Sequence, residues 1–231
     1  MIIGINSYQS GGKDTVAKFL IQRQESFEEN NDIPKDKCAF FTNQKFAGTL
    51  KVITAYLLGK LPQEIETREF KDGVVEGWDQ WSAFSDFIGE YSYFGSQEEA
   101  ERMVNSGFYQ PPVSHIQMTG RDMLIGIGVG LREKLHPDVW IKTLLNRYTP
   151  DQNWIISDLR YPNEFNEIKK LGGYCIRIER EGIKPAATDT LLDDYVKQGK
   201  FDLVVYNNGT IEELQDTLDI SLPENLLDLK E

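Results

Sequence analysis

The segment best equipped for chemistry is Ser7-Tyr8-Gln9-Ser10-Gly11-Gly12-Lys13-Asp14-Thr15. Small residues let consecutive backbone N–H groups turn toward one point, and a lysine at the end adds a mobile positive charge. Together they suit a phosphate, the more so where a helix begins and offers its unpaired donors. The familiar phosphate-loop spacing is G-x-x-x-x-G-K-[ST]. Here Ser7 stands first, Asp14 follows the lysine, and Thr15 comes one residue later. The magnesium-side hydroxyl is therefore displaced. Two candidates serve the metal: Thr15 directly, or Asp14 through a water of the ion's shell. Gly11, Gly12, Lys13, Asp14 and Thr15 are the expected nucleotide-phosphate site, with Lys13 on the β- and γ-phosphates. The plainer alternative is a glycine-rich turn with an ordinary capping acid.

A second constellation is Trp154-Ile-Ile-Ser-Asp158-Leu-Arg160-Tyr-Pro-Asn-Glu164. An apolar strand delivers Asp158 at its C-terminal end, where ligands of open α/β sheets sit. A carboxylate there can orient magnesium through water or accept from a substrate hydroxyl. Arg160 can reach a moving phosphoryl group, where added positive charge lowers the barrier. The competing reading is an Asp–Arg pair that merely ties the turn. His115 and His136 lack paired metal-ligand spacing and are read as structural. Cys38 and Cys175 have no CxxC partner, so they are read as packing groups in a reducing, cytoplasmic setting.

These residues need a scaffold, and the hydrophobic pattern supplies one. Residues 2–6 read as a strand, 7–12 as a loop, and Val16, Phe19, Leu20 and Arg23 follow helical spacing. Further strands are expected at 38–42, 154–157, 174–178 and 201–206, with helices at 44–58 and 163–171. Thr210-Ile-Glu-Glu213 caps a last helix with apolar Ile211, Leu214 and Leu218. Residues 115–148 read as largely helical, although Gly126, Gly128 and Gly130 each cost about 1 kcal/mol there. A close packing contact or a break is expected at them. Strands alternating with helices imply an α/β fold with a parallel sheet flanked by helices. The chain is expected to be one domain over 1–231 with a helical cap or insertion at about 59–135. Within it Trp78, Trp81, Phe84, Phe87 and Tyr91 recur at helical spacing, as a packed face, a substrate-facing lid or a dimer surface. After Pro223 the acidic tail reads as loose.

Composition narrows the function. Lys and Arg number 25 against 37 Asp and Glu, a net charge of −12, so a general nucleic-acid binder is not expected. A small phosphorylated ligand needs only a few local donors and stays compatible with that charge. The longest nearly apolar run, 123–131, falls well short of the roughly 20 residues of a membrane helix, and the first residues lack a basic signal-peptide region.

Gly11-Gly-Lys-Asp-Thr15, Lys45-Phe-Ala47 with Leu50-Lys51, His136-Pro-Asp-Val-Trp140, and Asp158-Leu-Arg-Tyr-Pro-Asn-Glu164 with Gly172-Gly173 carry a resemblance, together with Leu192-Asp-Asp-Tyr195 through Asn207-Asn-Gly-Thr210. The sequence resembles the phage deoxynucleoside monophosphate kinase family over most of its length, 72–112 and the last ten residues apart. The resemblance implies a P-loop kinase fold with a cap for the acceptor nucleotide. It implies transfer of the γ-phosphoryl of ATP to a deoxynucleoside monophosphate with Mg2+, in the host cytoplasm if the chain is phage-encoded. Lys13, Asp14 and Thr15 would hold ATP. Lys51, Lys71, Gly120, Arg121, Trp140, Asp158 and Arg160 would lie on the acceptor side, with Trp140 either stacking the acceptor base or packing. Lys13, Asp158 and Arg160 would carry the catalysis, with Arg132 a further cation. The family often has His-x-Ser-Glu before the Leu-Asp-Asp stretch; here Ala187-Thr-Asp-Thr190 stands there without a histidine. A homodimer is compatible with the aromatic segment. Two other functions fit the same loop: a P-loop kinase with a different small acceptor, and a nucleotide-binding interaction protein without turnover.

Overall fold

The computed structural model describes residues 1–30, 40–76, 119–185, 187–223 and 226. These divide into two compact bodies, one of residues 1–46 and 145–231, the other of 47–144.

The first body is built on a five-stranded parallel sheet. Its strands are β1 (Ile2–Ser7), β2 (Phe41–Gln44), β3 (Asn153–Ile156), β4 (Tyr174–Glu179) and β5 (Leu203–Tyr206), in the order β2-β3-β1-β4-β5. Register pairs Ile3 with Ile155 on one side of β1, and Gly4 with Cys175 on the other. All six β1 residues are buried, as expected for the middle of a sheet covered on both faces. Ile3, Ile5, Ile155, Ile176 and Ile178 form its core with Val16, Ala17 and Leu20 of α1 (Lys13–Asn30) and Leu214 and Leu218 of the helix Ile211–Ser221. Leu226 packs into the same cluster, so the expected loose tail is anchored at that residue.

Two helix starts explain their sequence motifs. In the helix Pro162–Lys170 the proline occupies the first turn, where its missing N–H costs nothing. The buried Glu164 carboxylate accepts from the Arg160 and Tyr161 amides at 2.9 and 3.1 Å. Thr210 and Glu213 form the expected reciprocal cap: Thr210 Oγ1 accepts from the Glu213 amide, and Glu213 Oε2 from the Thr210 amide. Within that last helix Ile211 is exposed rather than buried, because it lies at the helix start beside a cavity.

Strand β2 starts at Phe41, later than the sequence suggested; 31–39, with Cys38, lies outside the described residues. The helix expected from Gln44 starts at Gly48, since Gln44 still pairs with Ile156 and the Phe46 amide is held by Asp158.

The second body contains α2 (Gly48–Leu57), two short helices (Pro62–Glu66 and Arg68–Asp72), a long helix (Gly120–Lys134) and most of the helix Val139–Leu145. The expected helix over 115–148 is thus two helices. The interruption contains Pro137, and the Asp138 amide donates to His136 Nδ1 at 3.0 Å. Gly126, Gly128 and Gly130 lie inside the long helix without breaking it. Gly128 is a close contact: a Cβ there would sit 3.1 Å from Leu50 Cδ2. His115 and the aromatic segment 78–94 lie outside the described residues.

Candidate active site

Strand β1 ends at Ser7 and α1 begins at Lys13, so the phosphate-loop candidate joins the central strand to a helix N-terminus. The turn closes through the Gly11 amide on the Tyr8 carbonyl at 3.0 Å. Ser10 and Gly12 have φ of +66° and +108°. Left-handed residues placed this way turn successive amides toward one point, and a non-glycine such as Ser10 pays strain to do so.

Side chains from far along the sequence fix that shape. Asn207 Nδ2 donates to the Gly11 carbonyl at 2.9 Å, and a Cβ on Gly12 would lie 2.5 Å from the same nitrogen. The Gln9 amide donates to Asp189 Oδ2 at 3.0 Å. Tyr8 Oη donates to Asp193 Oδ2 at 2.8 Å. Beneath Tyr8 lies Arg177, fully buried, its guanidinium 4.4 Å from the ring centre. It is paired with Glu179 at 2.7 Å and Asp193 at 3.1 Å, and donates to Asn6 Oδ1. A buried cation is tolerable only with partners of this kind.

Lys13 is half-buried, and its ammonium is held below the ordinary lysine range, chiefly by burial. Asp14 and Asp189 oppose that shift, while Arg160 and Lys45 add to it. Lys13 and Arg160 are therefore neighbours in one electrostatic site. Arg160 Nη1 lies 3.5 Å from Asp189 Oδ1. Asp14 Oδ1 is 3.4 Å from Lys45 Nζ and 3.5 Å from the hydroxyl of Ser157, which itself donates to Asn43 Oδ1 at 3.0 Å. Asp158 accepts the Phe46 amide at 2.9 Å, which fixes the turn that carries Lys45.

Beside the loop lies a cavity of about 420 Å³, lined by Ser10, Lys13, Thr15, Arg180, Asn207 and Ile211 among others. Sequence reasoning missed Arg180, Asn207, Asp189, Ser157 and Arg177. For Asn207 and Asp189 a signal existed, since both lie in segments that the family resemblance singled out; Arg177 left none.

In the second body Lys51 Nζ pairs with Glu66 Oε1 at 2.6 Å, and Lys71 Nζ donates to the Glu66 carbonyl at 2.7 Å. Arg121 pairs with Asp72 at 2.9 Å. Lys51 and Lys71 thus converge on one residue. Two expected acceptor residues are closely packed among their neighbours. Trp140 is 2% exposed, and its Nε1 donates to the Gly128 carbonyl at 3.0 Å, so its ring has no free face for a base. Gly120 is buried, with its amide on the Gly73 carbonyl at 3.1 Å and no room for a Cβ, which would come 2.3 Å from the Phe70 carbonyl. Among the described residues no helix is long and apolar enough to cross a membrane.

A parallel sheet in this order, with a glycine-rich turn that runs from its central strand into a helix opened by a lysine, defines a parallel α/β protein with a candidate phosphate loop. No protein-family profile matches the chain. A curated protein of Acanthamoeba polyphaga mimivirus, named "Putative deoxynucleotide monophosphate kinase", is 32% identical over 145 residues, covering 60% of this chain and 74% of that protein. The chain belongs to that kinase family. The crystal structure of TT1252 from Thermus thermophilus aligns over 95% of each chain at 14% identity, with a TM-score of 0.37.

Proposed function

We propose that the protein transfers the γ-phosphoryl group of ATP to a deoxynucleoside monophosphate, giving the diphosphate and ADP. The observation that carries this reading is the strained, braced loop that ends at the half-buried Lys13, with Arg160 close enough to act on that ammonium and held on Asp189. Likeness to a viral protein named for this activity supports it.

Phosphoryl transfer asks little covalent chemistry of a protein; it asks for placement, dehydration and positive charge. Lys13 and the loop amides hold the outer phosphates of the donor. Arg160 faces the group in transit. The neighbouring cavity, with apolar Ile211 and the exposed Arg180 among its lining residues, suits the donor's base. Lys51, Lys71 and Arg121 are assigned to the acceptor's phosphate. Asp158 acts indirectly, by fixing the turn that carries Lys45. No general base is required, because an acceptor phosphate oxygen is already ionised. The oxygen donors of Asp14, Thr15 and Ser157 fit a magnesium ion, which favours oxygen ligands and keeps much of its water. Asp14, through water, and Thr15 would hold it. The chemistry it supplies is neutralisation of charge on the outer phosphates.

The test is a coupled ADP-release assay with ATP, magnesium and the common ribo- and deoxyribonucleoside monophosphates. Turnover on at least one deoxynucleotide is expected. Tight ATP binding without turnover on any of them would favour the non-catalytic reading, and turnover only on an unrelated phosphorylated acceptor would favour another kinase.

A further inference from the structure

We propose that Asp189 is a positioning residue: its buried carboxylate holds the Arg160 guanidinium and the Gln9 amide in one arrangement, so that the arginine stands ready for the moving phosphoryl group. This rests on the phosphoryl-transfer reading above and goes beyond it by naming the residue that aims the arginine.

Three observations carry it. Asp189 is 2% exposed, and a carboxylate that deeply buried persists only when charge and hydrogen bonds are supplied to it. Two of its partners come from segments that are distant in sequence from it and from each other. One carboxylate oxygen accepts the Gln9 amide of the donor loop at 3.0 Å. The other faces Arg160 Nη1 at 3.5 Å, just after β3. The arginine side chain is itself 40% exposed, so the pair contributes little to stability on its own. Its consequence is geometric: it limits where an otherwise mobile guanidinium can point.

The charge placement is otherwise hard to account for. A carboxylate close to a polyphosphate site repels the ligand. Lys13, Arg160 and Lys45, however, repel one another when no phosphate is bound, and Asp189 acts on Lys13 in the opposite sense. A fixed anion among three cations keeps that cluster in place until substrate arrives. Removing the anion's charge should therefore not weaken triphosphate binding, whereas the aim of Arg160 should be lost.

Asp189→Asn makes the separation. The asparagine carbonyl can still accept the Gln9 amide, but the negative charge that faces Arg160 is gone. The variant, Arg160→Ala and the double variant are compared with the wild type, using ATP and the four common deoxynucleoside monophosphates. The dissociation constant for ATP is read by calorimetry and kcat by ADP release. Expected is a kcat loss of roughly tenfold or more for Asp189→Asn, since small misplacements of a positioned group cost up to about 10²-fold. The ATP dissociation constant is expected to be equal or lower. In the Arg160→Ala background, Asp189→Asn should bring no further loss of kcat. A kcat within twofold of wild type overturns the proposal, as does an equal loss in both backgrounds. If Asp189→Asn does not fold, Asp189→Glu is used, which keeps the charge but moves it by one methylene. It should also lower kcat in an Arg160-dependent way, and an unchanged kcat overturns the proposal. A wild type inactive on every acceptor refutes the phosphoryl-transfer reading and this inference together. An active wild type with an unaffected Asp189→Asn refutes this inference alone.

Discussion

Lys13→Met separates a lysine that works from a lysine that supports the fold. Methionine keeps an unbranched stem and deletes the charge. At about 4 Å and an effective dielectric of about 20, one charge acting on one phosphate charge amounts to about 4 kcal/mol. At about 1.4 kcal/mol per decade, that is roughly a thousandfold in kcat/KM. Loop amides remain to bind phosphate, so some activity survives. Stability should move the other way. The ammonium is depressed mainly by burial, and Arg160 and Lys45 repel it, so without ligand the charge is a liability in the fold. The variant should melt at the wild-type temperature or slightly above while turning over roughly a thousandfold more slowly. ADP release and a thermal melt on one preparation read both quantities. A variant that loses its rate and several degrees of melting temperature together would make Lys13 a structural residue. A variant at the wild-type rate would remove it from the donor site altogether.

The same depression gives a pH signature. Between the lowered Lys13 value and the ordinary one, the unfolded chain binds a proton that the folded protein does not, so this group adds stability as pH rises through that window. Bound phosphate favours the ammonium, so alkaline ATP binding should take up a proton; calorimetry in buffers of different ionisation enthalpy would show no buffer dependence if Lys13 were uninvolved. Cys175 is pushed up to about 12, chiefly by burial, so the native protein should leave it unalkylated at pH 8.5 and label it only after denaturation, as read by mass spectrometry of its peptide. As pH rises past the ordinary thiol range, the unfolded chain ionises first and this group's contribution falls. Two glycine substitutions should diverge. Gly120→Ala meets the Phe70 backbone carbonyl at 2.3 Å and should cost about 1–3 kcal/mol. Gly128→Ala meets only the end of Leu50 at 3.1 Å and gains helix propensity, so it should be neutral or stabilising by up to about 1 kcal/mol. Urea melts that rank the pair the other way would refute the packing assigned to the long helix.

How much of this was legible in the sequence follows from the range of the interactions involved. Local chemistry was readable. Glycines beside a lysine marked a turn, Thr210 with Glu213 marked a helix start, and short apolar runs and helical spacing marked the sheet and its helices. The braces of the loop were not, because Asn207, Asp189, Asp193 and Arg177 reach it from 169 or more positions away. In Tyr174-Cys-Ile-Arg-Ile-Glu179 the arginine reads as the solvent side of an alternating strand. Only the fold places it under Tyr8, between two carboxylates. For Trp140 the sequence left stacking and packing both open, for a related reason. A tryptophan in a motif segment suits stacking, and nothing local indicated that the Gly128 carbonyl would take its indole N–H.

A chain with net charge −12 that is to bind polyphosphates, as proposed above, must concentrate positive charge locally without leaving it unbalanced. The candidate-site cations do this by pairing. Lys45 rests on Asp14, Arg160 on Asp189, Lys51 on Glu66 and Arg121 on Asp72. At Lys45, Lys51 and Arg121, binding phosphate would then be an exchange of one anion for another, not the capture of bare cations. Such an exchange holds the net gain per contact down, because each new attraction replaces an existing one. It also explains why an acidic protein need not collect nucleic acid: a cation already facing a carboxylate offers a passing phosphate backbone little. Specificity would then lie in where the pairs stand. Only a ligand whose phosphates meet the amides of the Ser7–Lys13 turn, as well as the cations, would gain enough to compete with the carboxylates on Lys45, Lys51 and Arg121, while the buried Asp189 keeps its hold on Arg160. Among the described residues, the amide of this turn that a carboxylate side chain holds is that of Gln9, on Asp189. That amide marks the point at which the loop and Arg160 share a single anchor.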